Sequence, residues 1–216
     1  MRRNSLIFEG ISVHPNKVYE EAVRLIDDYK RCLKGDEMKS KPTYENAPVL
    51  SCWKPPPVGI FKVNFDAAIN SKAGYVGVGL VVRDFLGHVK AAKRISFPIL
   101  TDAYNAELMA ASQAVIFCNQ AGFINVILEG DALKVINDVN SSPPYLSRSG
   151  HLLEGIKHEA GKLVSYSFVH VKRTCNEAAH NLAKSGTASL CNDSWFDQVP
   201  ACIIHVVARE QRVPRS

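Results

Sequence analysis

The sequence predicts an α/β fold in which a five-stranded mixed sheet is flanked by helices, and the order of its elements carries this prediction. Three strand-like segments joined by short turns come first, which is typical of an antiparallel meander. Strand and helix patterns then alternate, which is typical of crossovers between parallel strands. The order predicted after residue 60 is β-β-β-α-β-α-α-β-α.

An additional helix is predicted ahead of the sheet, over residues 16–34. Its apolar residues recur at three- and four-residue steps, namely Val18, Ala22, Leu25 and Tyr29. Residues 35–51 are polar and turn-rich, and we interpret them as a linker. We therefore expect an N-terminal helix and linker over residues 1–52, one domain over 53–190 and a C-terminal extension over 191–216.

The meander begins after the KPPP arm, which cannot be helical because proline fixes φ and lacks a backbone donor. Phe61, Val63 and Phe65 then alternate with Lys62, Asn64 and Asp66, as in a strand with two unlike faces. The turns around Gly74 and at DFLG separate two further strands, over residues 76–83 and 89–95.

The second half begins with a long helix over residues 102–121, which Gly122 is well placed to end. Its apolar stripe consists of Leu108, Ala111, Val115 and Cys118. The remaining elements are strands over 125–130 and 165–171, and helices from residue 131, over 151–163 and over 176–185. The segment SSPPY interrupts the chain between two of these helices.

Composition sets only broad limits on function. Apolar residues make up 46% of the 216 residues, as in ordinary globular domains. The net charge of +5 permits contact with a polyanion without implying it. The six cysteines form no Cys-x-x-Cys pair, so we expect reduced thiols. No apolar run approaches the roughly 18 residues of a membrane span or suits a signal peptide. We expect an intracellular monomer, nuclear or cytoplasmic, with no membrane partner.

Three carboxylates stand where predicted elements begin or end. Asp66 is on the polar side of the first strand, and a carboxylate in a central strand is rare unless it is paired or metal-bound. Glu107 lies among small apolar residues, although it could be a first-turn acid favoured by the helix dipole. Asp131 follows the fourth strand, although it could be a helix cap. If the three converge, oxygen ligands without a His/Cys cluster favour Mg²⁺ or Mn²⁺.

The chain resembles the ribonuclease H type 1 family, and within it the plant domains related to non-LTR retroelement polyproteins. The resemblance rests on WKPPPVGIFKVNFDAA, GVGLVVRDFLG, NAELMAASQAV, VILEGDALKVI and NEAAHNLAKSG, in that order, and extends to WFDQVPACI. It covers residues 53–204. It implies a metal-dependent endonuclease that cleaves the RNA strand of RNA–DNA hybrids and uses two Mg²⁺ or Mn²⁺ ions.

By the same resemblance, the metal ligands and catalytic residues include Asp66, Glu107 and Asp131, and the fourth family acid falls on His180. A neutral imidazole could still ligate a metal or bond its water, but it carries no negative charge. His170 is expected to be a structural strand histidine. Lys72, Lys172 and Arg173 are candidate contacts to the nucleic-acid backbone, and Arg173 stands where many members have a histidine loop.

Two departures from the family pattern keep a second hypothesis open. His180 replaces an acid, and Ala132 stands where the third acid is often followed by serine. The chain could therefore be a domesticated module that binds nucleic acid or protein with little or no cleavage. It could also be a fragment of a retroelement gene. The two main hypotheses differ in whether metal-dependent turnover accompanies hybrid binding.

Overall fold

A computed structural model of the chain describes residues 53–141, 148–188 and 190–211. The helix predicted over residues 16–34 and the linker after it lie outside the described residues, as does most of SSPPY. Within the described part, no helix has the length and apolar character needed to cross a bilayer.

Six strands form one mixed sheet in the order β5-β4-β1-β2-β3-β6. They are β1 (Phe61–Asn70), β2 (Tyr75–Arg83), β3 (Val89–Phe97), β4 (Asn125–Gly130), β5 (Ser165–His170) and β6 (Asp193–Phe196). β1, β2, β3 and β6 are antiparallel neighbours, whereas β4 runs parallel to both β1 and β5. The predicted α/β class is confirmed. The sheet has one strand more than predicted, because four residues of the expected C-terminal extension pair with β3.

Five α-helices accompany the sheet in the described part of the chain. They are α1 (Ala103–Ala121), α2 (Leu133–Asn140), α3 (Arg148–Ala160), α4 (Glu177–Gly186) and α5 (Ile204–Gln211). The first four correspond to predicted helices, with ends displaced by up to three residues. The helix α5 was not predicted.

The ends of α1 follow from its flanking residues. The Asp102 carboxylate accepts a hydrogen bond of 2.8 Å from the backbone N–H of Asn105, which satisfies one of the free donors of the first turn. Gly122 ends the helix with φ 78°, a left-handed conformation that glycine adopts without steric cost. Both capping residues lie next to the helix in the sequence, and the sequence therefore predicted the two ends of α1 closely.

The two faces of the sheet differ in what they bury. One face packs Val63, Phe65 and Leu80 against α1 in the main apolar core, with α2 and α3 around it. The other face carries a smaller cluster in which Val81 and Ala92 contact residues of α4 and α5. Both faces of the central strands are therefore covered, which explains why residues 62–66 of β1 and all but the first residue of β2 are buried.

Two glycines of β2 allow α4 to lie directly on the sheet. A Cβ atom at Gly77 would overlap the carbonyl oxygen of Ala183, and one at Gly79 would overlap that of Ala179. The obstacle in both cases is helix backbone, which cannot rotate away as a side chain can. Gly79 is also the register partner of Asp66 on β1.

Polar side chains fill part of the second face as a buried network. Arg83, whose side chain is only 1% exposed, forms an ion pair with Glu210 of α5. It also donates a hydrogen bond of 2.9 Å to the side-chain oxygen of Asn64. Asn64 donates to Glu129 over 3.0 Å, and Glu129 pairs with Lys62 over 2.8 Å. The Arg83 guanidinium also lies 3.6 Å from the centre of the Trp53 ring. The network connects β1, β2, β4 and α5 behind the site described below.

Substituting Gly79 tests the close approach of α4. We expect Gly79→Ala to lower the free energy of unfolding by about 3 kcal/mol, because a methyl group is forced into helix backbone. Gly155→Ala is the matched control, since Gly155 is exposed on α3 with open space around it. The control is expected to be neutral or to stabilise by up to about 1 kcal/mol. Urea denaturation measures both variants, and equal stabilities would contradict the packing described.

The buried ion pair is tested in the same way. Glu210→Ala leaves the Arg83 charge buried without its partner, and we expect a loss of about 3–5 kcal/mol in unfolding free energy. Glu177→Ala removes the same side chain from a surface pair with Arg209, in which Glu177 is 36% and Arg209 is 60% exposed. That loss is expected to be about 1 kcal/mol or less. Similar losses in both variants would contradict the burial of the Arg83–Glu210 pair.

Candidate metal centre

Three carboxylates reach one place from three separate elements. Asp66 lies within β1 and is fully buried, Glu107 is the fifth residue of α1, and Asp131 directly follows β4. One oxygen from each side chain lies within 4.8 Å of the others. We call these residues the acidic triad. The structure therefore brings together the three carboxylates that the sequence singled out.

The fold accounts for their meeting. The parallel pairing of β1 with β4 ends at Asn64 and Glu129, so Asp66 and Asp131 each stand two residues beyond the last pair. The carboxyl ends of parallel strands lie at the same edge of a sheet, where ligand sites of α/β proteins form. The helix α1 packs on β1 and supplies Glu107 from a third direction.

The simpler explanations for two of the acids do not fit the structure. Glu107 is beyond the first turn of α1, whose favourable dipole effect is confined to that turn. The N-cap position of α2 is occupied by Ala132, which provides no side-chain cap. Neither helix geometry therefore requires a carboxylate at these positions.

The triad is electrostatically strained in the absence of a cation. Burial, followed by the negative charges of Glu107 and Asp131, raises the pKa of Asp66 from 3.8 to about 9. Burial and the charge of Asp131 raise the pKa of Glu107 from 4.5 to about 8. Full ionisation of all three groups near neutral pH needs additional positive charge, which a divalent cation can supply.

The donor set also fits a metal ion. The Oε2 atom of Glu107 is buried and has no hydrogen-bond partner, which is costly for a carboxylate oxygen unless it binds something else. Within the described residues, the triad is the one group of three or more acidic, histidine or cysteine side chains close enough to share an ion. The acidic triad could therefore hold a metal ion through oxygen ligands.

His180 lies beside the triad on α4. Its Nδ1 atom is 2.8 Å from Oδ2 of Asp66, and one guanidinium nitrogen of Arg173 is 3.0 Å from Nδ1 and 2.9 Å from Nε2. Burial lowers the pKa of His180 below 6.5, and the charges of Arg173 and Lys184 lower it further. In its neutral form the ring can donate from Nδ1–H to Asp66, while the Arg173 guanidinium lies against the ring instead of along the Nε2 lone pair.

Arg173 was predicted as a contact to a nucleic-acid backbone, and the structure places it at the triad. A guanidinium nitrogen of Arg173 lies 3.3 Å from Oδ2 of Asp131, while the side chain remains 63% exposed. The same guanidinium contacts His180. Its positive charge therefore offsets part of the triad's charge and remains accessible from solvent.

The other predicted residues lie at different distances from the triad. Lys172 is exposed and directly precedes Arg173. Lys72 is exposed in the β1–β2 turn, and that turn begins only after four further strand residues, about 13 Å beyond Asp66. The ring of His170 is 3.2 Å from the backbone oxygen of Asp131, so this contact is with backbone and not with a carboxylate.

Asn176 is a site residue that the sequence did not indicate. It is fully buried, and its amide donates 2.9 Å to the backbone oxygen of Phe65 and lies 3.5 Å from Oδ1 of Asp66. The side-chain oxygen of Asn176 accepts a hydrogen bond of 3.2 Å from the side-chain amide of Asn64. The polar residues alternating along β1 could have signalled that this second face was also buried and hydrogen-bonded.

Comparison with known proteins agrees with this geometry. Residues 64–186, more than half of the chain, match the family described as reverse transcriptase-like. A search of curated proteins finds no significant match.

Ribonuclease H1 from the halophilic archaeon Halobacterium salinarum is structurally similar, with 23% identity, a TM-score of 0.56 and coverage of 60% of this chain and 98% of the archaeal one. The N-terminal ribonuclease H domain of a Mycobacterium tuberculosis protein, solved as a maltose-binding-protein fusion, has 17% identity, a TM-score of 0.52 and coverages of 60% and 94%. LC11 ribonuclease H1, in complex with an RNA/DNA hybrid, has 19% identity, a TM-score of 0.50 and coverages of 58% and 94%.

At these identities the solved structures establish the fold, whereas the family match extends over most of the sheet, the acidic triad and α4. This chain is a member of the reverse transcriptase-like family, and its domain has the ribonuclease H fold.

Proposed function

We propose that the protein is a divalent-metal-dependent endonuclease that cleaves the RNA strand of RNA–DNA hybrids. The observation that carries this proposal is the convergence of three carboxylates within 4.8 Å at one edge of the sheet. The RNA/DNA hybrid bound by the similar LC11 ribonuclease H1 supports a hybrid as the substrate class. The family match to reverse transcriptase-like proteins supports descent from a retroelement.

The metal would be Mg²⁺ or Mn²⁺, held by Asp66, Glu107 and Asp131. The group of possible ligands consists of three carboxylates, and such oxygen ligands favour these hard cations over zinc. When bound, such an ion neutralises charge on the phosphate and lowers the pKa of a coordinated water. The triad's raised pKa values would fall as the ion binds, because the cation stabilises the ionised carboxylates.

The reaction is hydrolysis of a phosphodiester. A water oxygen forms a bond to phosphorus, the bond from phosphorus to the 3′ oxygen breaks, and that oxygen takes up a proton. Arg173 is an exposed cation that contacts Asp131, and its guanidinium matches the geometry of a phosphate. Lys172 beside it would contact the backbone. Such contacts read shape and charge and are independent of base sequence.

The alternative is a domain that binds nucleic acid without cutting it. His180 brings no negative charge to the position of the fourth family acid, and both of its ring nitrogens have partners. This arrangement favours slower turnover than in a site with four acids. Retained hybrid binding with no metal-dependent cleavage would identify the alternative.

Removing one triad carboxylate tests the proposal. We expect Asp66→Asn to reduce Mg²⁺-dependent cleavage of a labelled hybrid by about a thousandfold or more, because the substitution removes a metal-binding charge at the reacting centre. Asp197→Asn makes the same chemical change at an exposed residue after β6 and should cleave like the unaltered protein. Cleavage by Asp66→Asn at the unaltered rate would refute the assignment of the active site.

A further inference from the structure

We propose that this metal centre holds one divalent ion per chain. The Arg173 guanidinium supplies the positive charge that a second ion would bring to the two-ion site implied by the resemblance. The inference rests on the proposed function, since it assumes that the acidic triad binds a divalent ion. It concerns the number of ions and the role of the His180–Arg173 pair.

The available donor atoms support one ion. His180 lies 2.8 Å from Oδ2 of Asp66, which leaves Oδ1 as the oxygen of that carboxylate with the weaker contact, 3.5 Å to Asn176. Glu107 contributes the buried Oε2 that has no partner. Asp131 shares one of its oxygens with Arg173. Contacts with His180 and Arg173 hold one oxygen of Asp66 and one of Asp131, so the oxygens that remain suit one shared ion better than two.

His180 cannot supply the donors for a second ion in the observed arrangement. An imidazole ring offers at most one lone pair to a metal. One guanidinium nitrogen of Arg173 lies against the ring, 3.0 Å from Nδ1 and 2.9 Å from Nε2, and Nδ1 is also 2.8 Å from Asp66. A second cation bound at His180 would therefore lie directly against the Arg173 positive charge.

The charges lead to the same conclusion. Three ionised carboxylates carry −3, which one divalent ion and one guanidinium balance together. Two divalent ions with Arg173 in place would leave the centre at +2 before a phosphate arrives. The observed side chains are thus matched to one ion.

Local structure holds Arg173 in place. It begins a 3₁₀ turn, Arg173–Cys175, in which the backbone N–H of Asn176 donates 3.0 Å to the Arg173 carbonyl. The buried Asn176 side chain is bonded to the Phe65 backbone. The backbone of Arg173 is therefore tied to the strand that carries Asp66, whereas its guanidinium is open to solvent and to an incoming phosphate.

Counting Mn²⁺ ions tests this inference without any cleavage measurement. Titration of the full chain with Mn²⁺, followed by the electron paramagnetic resonance of the free ion and by calorimetry, should give one bound ion per chain. His180→Asp adds a carboxylate and removes the anchor of Arg173, and it should bind two. Two ions on the unaltered protein, or one on a folded His180→Asp variant, would overturn the inference while leaving the nuclease proposal intact. No ion binding at all would overturn both.

A second variant separates the role of Arg173 from a merely structural one. Arg173→Ala removes a cation that competes at Asp131, so Mn²⁺ affinity should rise by about tenfold while hybrid cleavage falls by about tenfold or more. Arg173→Lys keeps the positive charge without the planar guanidinium group. Its Mn²⁺ affinity and its cleavage rate should lie between those of the unaltered protein and those of Arg173→Ala. Lys184→Ala removes an exposed cation from the same helix as His180 and should leave Mn²⁺ affinity within about twofold. A fall of affinity and activity together in Arg173→Ala would contradict the proposed role.

Discussion

The position of Asp66 is the constraint on which the rest of this structure depends. A carboxylate inside the central strand β1, fully buried, is unstable unless its surroundings are arranged for it. On one side the chain supplies His180 and Asn176, and on the other it leaves space between Asp66, Glu107 and Asp131 that a cation can occupy. The polar network through Asn64 and Arg83 extends this arrangement to α5. The second face of the sheet is therefore polar where it supports the site and apolar elsewhere.

The same constraint links the packing of α4 to the chemistry of the site. Gly79 stands opposite Asp66 in the β1–β2 register, and the backbone of Ala179 lies directly above that glycine. His180, the next residue of α4, can then reach Asp66 at 2.8 Å. A larger residue on β2 would lift the helix and carry the imidazole away from the carboxylate. Absence of a side chain at Gly79 is thus part of how the site is built, although Gly79 takes no part in the chemistry.

The sequence predicted those features that depend on neighbouring residues. Alternation along β1 located Asp66 on its polar face, and the pair Asp102 and Gly122 bounded α1 almost to the residue. The contacts that it did not indicate join distant segments. Asn176 bonds to residues more than 100 positions earlier, and the four-residue strand β6 exists only because β3 offers it an edge. A strand that short has too few residues for a pattern of alternation, so only its pairing partner reveals it.

Arg173 makes contacts in the structure that its position in the sequence does not indicate. Its charge and its place before α4 suggested a contact to a nucleic-acid backbone, which requires only an exposed side chain. The structure adds that the guanidinium already contacts Asp131 and His180, so any phosphate it binds must share it with the triad. Substrate and metal would therefore be coupled through one side chain. An ion bound by the triad lessens the need for Arg173 at Asp131, which frees the guanidinium for the phosphate whose cleavage that ion assists.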